Sequence, residues 1–175
     1  MKIAVYLGSS FGNDPAYKEA AEEVGRWIAK NGHTLIYGGS GVGLMGVLAD
    51  AALSEGGEVI GVEPQFFLDA GLVHDGITQT IATETMAERK VIMMDLADAY
   101  VALPGGSGTL DEISEVIVLA ALGKHGKPCI LYNKAGFYEP LMALYCKMRD
   151  AGFMTDEAVN LIRMVSTPEE LENIL

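Results

Sequence analysis

Short, uninterrupted apolar runs recur along this chain, each followed by a stretch with helical spacing, and that alternation leaves few architectures open. Ile3–Leu7, Thr34–Tyr37, Val59–Val62, Ala99–Leu103 and Pro128–Tyr132 are too short for helices and apolar on both alternating faces. Helical patterns run from Asp14-Pro15 towards Asn31, over Gly43–Ser54, Met86–Leu96, Thr109–Leu122 and Tyr138–Ala151. Asp14-Pro15 reads as an N-cap followed by a first-turn proline. Pro64–Gly76 reads as an irregular excursion and Thr78–Ala82 as a further short strand. The tail, Asp156–Leu161 and Pro168–Leu175, reads as two shorter helical pieces around Ile162–Val165. Strands apolar on both faces and alternating with helices predict the α/β class: a doubly wound parallel sheet with helices on both faces, in one domain over residues 1–175. Such folds bind ligands outside the carboxyl ends of their strands.

Three glycine or serine loops fall at those ends: Gly8-Ser9-Ser10, Gly38-Gly39-Ser40-Gly41-Val42-Gly43, and Pro104-Gly105-Gly106-Ser107-Gly108-Thr109. One such loop is explained by turn geometry alone; three at equivalent ends predict a shared crevice. The third opens a helix, where unpaired amides and the macrodipole favour an anion and glycine admits a phosphate close to the chain. Yet Asp111 and Glu112 follow at once, so the sequence places two carboxylates beside the expected anion site. Acids early in a helix also suit its dipole with no further role. The second loop contains Gly41-Val42-Gly43-Leu44-Met45-Gly46, which satisfies the dinucleotide fingerprint letter for letter, and Glu63 ends the next strand at the expected distance. Against a nicotinamide or flavin protein, this is the second strand–helix unit, and Gly38-Gly39 lengthens the turn. That reading also leaves the third loop unexplained.

In the helix before the third loop, Arg89 shares a face with Met86 and Met93 at i, i+3 and i+7. Spacing alone is compatible with an arginine whose stem lines the core edge and with one whose planar fork meets a carboxylate or phosphate in the crevice. Charge narrows the partners. Lys plus Arg total 12 against 24 Asp plus Glu, a formal charge of -12. That balance opposes nonspecific binding to nucleic acid or to an anionic membrane but leaves a small phosphorylated metabolite possible.

The motifs Met86-Ala87-Glu88-Arg89-Lys90 and Pro104 to Glu112, read as M-x-x-R-K and P-G-G-x-G-T-x-x-E, resemble the LOG ("lonely guy") family of cytokinin-activating phosphoribohydrolases. Supporting matches include Val5–Ser10, Gly12–Tyr17, Tyr37-Gly38-Gly39, Val42–Gly46, Leu122–Pro128 and Ser166–Leu171. The resemblance implies a Rossmann-like homodimer that splits a nucleoside 5'-monophosphate, AMP or an N6-modified AMP such as isopentenyl-AMP, into free base and ribose 5-phosphate. It implies Arg89 and Glu112 as catalytic residues and Gly105, Gly106, Ser107, Gly108 and Thr109 as the phosphate loop. With the other loops and helices, the expected substrate-binding set adds Ser9, Gly39, Ser40, Gly43, Met45, Met86, Lys90 and Glu115. Physical chemistry supplies a reason for the acid: breaking an N-glycosidic bond builds positive charge on the ribose, which a fixed carboxylate stabilises while also able to activate water. Arg89 is compatible with contacts to phosphate, ribose or Glu112, and Asp111 and water are both candidates to protonate the leaving base.

Two departures from the family pattern bear on specificity. Ser40 and Gly41 stand in the opposite order from many members, and Gln65–Leu72 lacks the basic and acidic residues that many plant members carry there. Plain AMP is therefore as good an expected substrate as a cytokinin nucleotide. Members have often carried the label lysine decarboxylase, but the sequence has no sign of a pyridoxal phosphate site, and no cofactor is expected. No metal is expected either, since His33, His74 and His125 lack partners at ligand spacing. The N-terminal apolar run is too short for a signal peptide, no stretch approaches a membrane span, and Cys129 and Cys146 read as reduced thiols, which predicts a cytoplasmic protein. A non-catalytic nucleotide or cofactor carrier of similar fold is the alternative; an arginine–glutamate pair at the loop is what binding alone does not require.

Overall fold

The computed structural model describes all 175 residues and contains one seven-stranded sheet, every pair parallel. In chain order the elements are β1 (Lys2–Tyr6), α1 (Pro15–Lys30), β2 (Thr34–Tyr37), α2 (Gly43–Ser54), β3 (Glu58–Pro64), α3 (Gln65–Asp69), β4 (Gln79–Thr83) and α4 (Met86–Leu96). There follow β5 (Ala99–Ala102), α5 (Ser107–Ala121), β6 (Cys129–Tyr132), a 3-10 turn at Lys134–Gly136, α6 (Glu139–Asp150), α7 (Asp156–Asn160), β7 (Ile162–Val165) and α8 (Pro168–Glu172). The strand order is β4-β3-β2-β1-β5-β6-β7.

The apolar strands do what their composition demands, burying side chains on both faces. One core layer joins Ile3, Val5, Leu35, Tyr37 and Val101 to α1 and α2; the other joins Ala4, Tyr6, Ile36, Tyr100 and Leu131 to α4, α5 and α6. Asp14 caps α1 as expected, its carboxylate accepting from Ala16 N at 2.9 Å with Pro15 in the first turn. Thr85 caps α4, accepting from Glu88 N at 3.1 Å. No helix is long and apolar enough to cross a membrane.

Two expectations are corrected. The Pro64–Gly76 excursion contains the short helix α3, and its end is tied to the second glycine loop by Gly41 N donating to Leu72 O at 2.9 Å and His74 N to Gly39 O at 3.0 Å. Ile162–Val165, given no element of its own between the two helical pieces of the tail, is edge strand β7; its buried Ile162 and Val165 flank exposed Arg163 and Met164, a spacing of three that does not show the period of a strand.

The order places a switch point between β1 and β5: from β1 the chain winds outward through β2, β3 and β4, then returns to β5 and winds the other way. The loops after these two strands therefore diverge and leave a crevice. Gly8 N donates to Pro104 O at 3.2 Å across its floor.

Candidate active site

A cavity of about 480 Å³ opens at this switch point. The sequence-expected residues Ser9, Ser40, Met45, Met86, Arg89, Gly106, Ser107, Gly108, Thr109 and Glu112 all line it, together with Leu7, Gly8, Val42, Glu63, Phe67, Leu72 and Asp111. A larger hollow of about 690 Å³ lies at the opposite, amino-terminal ends of β6 and β7, but no carboxylate lines it and its titratable groups are His125, Lys127 and Arg163.

Helix α5 starts at Ser107, with Gly106 as N-cap and no side chain bonded to the cap. The first intrahelical donor after the cap is Leu110 N, which bonds Gly106 O at 3.1 Å, so the amides of residues 107–109 lack helical acceptors. A Cβ on Gly105 would lie 2.2 Å from Thr109 Oγ1 and 2.8 Å from Gly8 N, so glycine lets the first and third loops meet. This start corrects the placement of the acids: Asp111 and Glu112 are a full turn inside α5, clear of its open amides. The apparent conflict between phosphate loop and carboxylates is thereby removed.

Arg89 is only 9 % exposed. Its Nε donates to Val62 O at 3.0 Å, Nη1 lies 3.7 Å from Met86 Sδ, and Nη2 lies 3.9 Å from Glu112 Oε1. A Cβ on Gly38 would sit 1.6 Å from Arg89 Nη2, so the guanidinium passes directly over the end of β2. Burial pushes the Glu112 carboxyl up to about 7, with Arg89 opposing that rise.

Lys90, one residue on, points the other way and bridges Asp111 and Glu115, each at 2.9 Å. Lys90 and Glu115 do not line the cavity, and neither do Gly39, Gly43 or Gly105, which stand behind its wall. The expected lean of Glu115 into the crevice is thus corrected: three residues past Glu112 the helix has turned it towards Lys90 on the seam between α4 and α5.

Gly43 has φ of +61°, and a Cβ there would lie 2.1 Å from Ser9 O. A Cβ on Gly46 would lie 2.3 Å from Gly41 O. The glycines of the fingerprint-like second loop therefore let the turn close on itself and on the first loop, which explains the motif without a dinucleotide. Gly43→Ala is expected to cost about 3 kcal/mol, from the left-handed backbone together with the steric clash. In a chain of this size that lowers Tm by roughly 6–12 °C, as thermal melting would show.

Among the lining residues outside the expected set, the one buried charged group is Glu63, the last-but-one residue of β3. It lines the cavity yet is 2 % exposed, and its Oε2 has no hydrogen-bond partner. The sequence signal was present, an acid ending an otherwise apolar strand, but it was weighed only as the ribose-binding acid of a dinucleotide fold.

Fold and site together define a Rossmann-like α/β protein with an open, glycine-capped helix start and a buried arginine–carboxylate pair at its switch point. Residues 45–175 match the protein family described as "Possible lysine decarboxylase". A cytokinin riboside 5'-monophosphate phosphoribohydrolase from Rhodococcoides fascians is 42 % identical over 87 % of this chain and 78 % of its own. The enzyme of that name, LOG, from Oryza sativa subsp. japonica is 39 % identical over 97 % of this chain and 70 % of its own. The chain belongs to this LOG family of phosphoribohydrolases. Among solved structures, the molybdenum cofactor binding protein from Rippkaea orientalis superposes with a TM-score of 0.74 at 26 % identity, over 98 % of this chain and 93 % of that one. The molybdenum cofactor carrier protein from Chlamydomonas reinhardtii shares the fold, with a TM-score of 0.71 at 23 % identity.

Proposed function

We propose that the chain works as one nucleotide-binding domain that hydrolyses the N-glycosidic bond of a purine nucleoside 5'-monophosphate, AMP or isopentenyl-AMP, to free base and ribose 5-phosphate. The observation that carries this reading is the Arg89–Glu112 pair set one helical turn beyond the open amides of residues 107–109. Those amides and the Thr109 hydroxyl hold the 5'-phosphate, and the ribose then reaches towards Glu112. Remote binding energy at the phosphate thus positions the reacting centre. The Glu112 carboxylate stabilises the cationic sugar and takes a proton from the attacking water. Arg89, anchored to Val62 O, aims that carboxylate and favours its charged form. The apolar end of the cavity, with Val42, Phe67, Leu72 and Met86, receives the base.

The carrier alternative has support in the fold shared with molybdenum cofactor proteins. It gives no role to a buried acid held beside an arginine, and the phosphoribohydrolase relatives are the more similar in sequence. Incubation with AMP and with isopentenyl-AMP, followed by chromatography, tests the choice. Release of adenine or isopentenyladenine with an equal amount of ribose 5-phosphate is expected; tight nucleotide binding without release would favour the carrier.

The reading includes a homodimer. Leu110 and Val118, eight residues apart on α5, and Leu122 at its C-cap are exposed apolar residues that share one helical face, with Val118 56 % and Leu122 66 % accessible, and Val91 of α4 is exposed too. An apolar row of this kind is suited to burial against its own copy. Val118→Glu combined with Leu122→Glu is expected to reduce the solution mass from twice 18.6 kDa to that of a single chain, measured by light scattering. The free thiols Cys129 and Cys146 accord with a reducing compartment, and we place the protein in the cytoplasm.

A further inference from the structure

Glu63 sits at the end of the cavity that the proposed reaction leaves without chemistry. The third glycine loop and Glu112 come from β5 and α5 on one side of the switch point; on the other side the loop after β2, the end of β3, and α3 with the segment after it bring Ser40, Val42, Glu63, Phe67 and Leu72 to the cavity, and Glu63 is the one carboxyl of that set. A buried carboxyl with an unpartnered oxygen is expensive to keep unless it has a task. The chain also takes steps to admit it. Gly39 has φ of +86°, and any Cβ there would lie 2.5 Å from Glu63 Oε2.

We propose that Glu63 is the acid that protonates the departing purine, an inference that rests on the N-glycosidic hydrolysis proposed above. In the step, the C1'–N9 bond breaks with its electron pair going to the base, while the oxygen of water bonds to C1'. The Glu63 carboxyl proton passes to a ring nitrogen of the base, N7 or N3, so that it leaves neutral. Glu112 takes the proton lost by the water, and exchange with solvent returns Glu63 to the acid and Glu112 to the carboxylate.

Adenine is a poor leaving group as an anion, so an acid at this end lowers the barrier. Of the other two acids in the cavity lining, Glu112 serves as the base, and Asp111 is mostly exposed and committed to Lys90 at 2.9 Å. Charge around Glu63 suits the donor role. Arg89 of α4 is the one cation that reaches it, Tyr37 of β2 brings a buried hydroxyl, and Glu112 of α5 lies beyond the guanidinium. Asp50 of α2 is held by His74 at 2.9 Å, while β4 and α3 contribute the uncharged Ala82 and Phe67. Burial outweighs the arginine and pushes the Glu63 carboxyl up to about 7, so much of it carries a proton at neutral pH. Two carboxyls divided by one arginine then perform opposite tasks, a pairing of acid and base that environment alone can set.

The test compares AMP with 4-nitrophenyl ribofuranoside 5-phosphate, whose leaving group needs no proton. Glu63→Gln keeps the shape of the side chain and is expected to slow AMP hydrolysis by about a hundredfold while slowing the nitrophenyl substrate far less. In the wild type, activity on AMP is expected to fall as pH rises through about 7, and activity on the nitrophenyl substrate to lack that alkaline limb. This second comparison needs no variant and stands even if Glu63→Gln folds poorly. Equal slowing of both substrates, no slowing of either, or the same alkaline limb for both would each overturn the acid role while leaving hydrolysis intact. A wild type that releases no base from any nucleotide but cleaves the nitrophenyl substrate, or cleaves neither, would overturn the proposed reaction itself and the acid role with it.

Discussion

Glu112→Gln is expected to lower turnover of AMP by about a hundredfold or more while nucleotide binding persists, because the substitution removes the charge and leaves the shape. In the proposed reading the phosphate is held a turn away, at the open amides of residues 107–109, so affinity is not expected to depend on the carboxylate. Single-turnover hydrolysis and equilibrium binding of AMP, measured side by side, separate the two effects. Full activity in the Gln variant would remove Glu112 from the mechanism. A second readout follows from its environment. Burial raises the native carboxyl from 4.5 to about 7, so the folded chain binds that proton more tightly than the unfolded chain does. The associated stability is fully present below about pH 4.5 and is lost as pH rises through about 7. Above that range the wild type carries a buried charge that Gln does not. The variant is therefore expected to gain in Tm relative to wild type between pH 4.5 and pH 8, an inactive enzyme that is the more stable of the two at the higher pH.

The fold was legible because its strands are buried on both faces, which makes them stand out as continuous apolar runs between glycine loops. Thr34–Tyr37, Gly43–Ser54 and Met86–Leu96 keep the boundaries their spacing predicts. Strand β7 is illegible because it is short and lies at the sheet edge, where each face carries one buried and one exposed residue and the period of two is lost. The two catalytic candidates were legible only through a family motif. Spacing showed that Arg89 lies on an apolar face but not that it crosses Gly38, since that contact joins α4 to the loop after β2. Helix α5 starts at Ser107, two residues before the Thr109 that spacing predicts, because glycines and serine carry no hydrophobic period. Glu63 was hardest of all. Its significance comes from lying across the arginine from Glu112, and β3, α4 and α5 supply those three side chains separately.

That three-part arrangement gives the second large effect. Arg89→Met keeps an unbranched side chain in the space above Gly38 but removes the one cation shared by both carboxyls, leaving Glu112 only the weaker influence of Lys90. Without it both carboxyls rise above about 7, so at neutral pH Glu112 is protonated and has no charge with which to meet the sugar cation. Turnover of AMP at pH 7 is expected to fall by about a hundredfold or more. The loss has a signature that misfolding lacks. Glu112 must be ionised and Glu63 protonated, so the activity profile is a bell whose limbs belong to the coupled pair. Removing the arginine moves both limbs the same way, towards higher pH, and part of the activity should return above pH 8. A variant that keeps the circular dichroism and melting transition of a folded chain yet is equally inactive from pH 6 to pH 9 would show instead that Arg89 acts on the substrate directly, through phosphate or ribose. The pH dependence of a single buried substitution thus decides which of the three roles open to this arginine it performs.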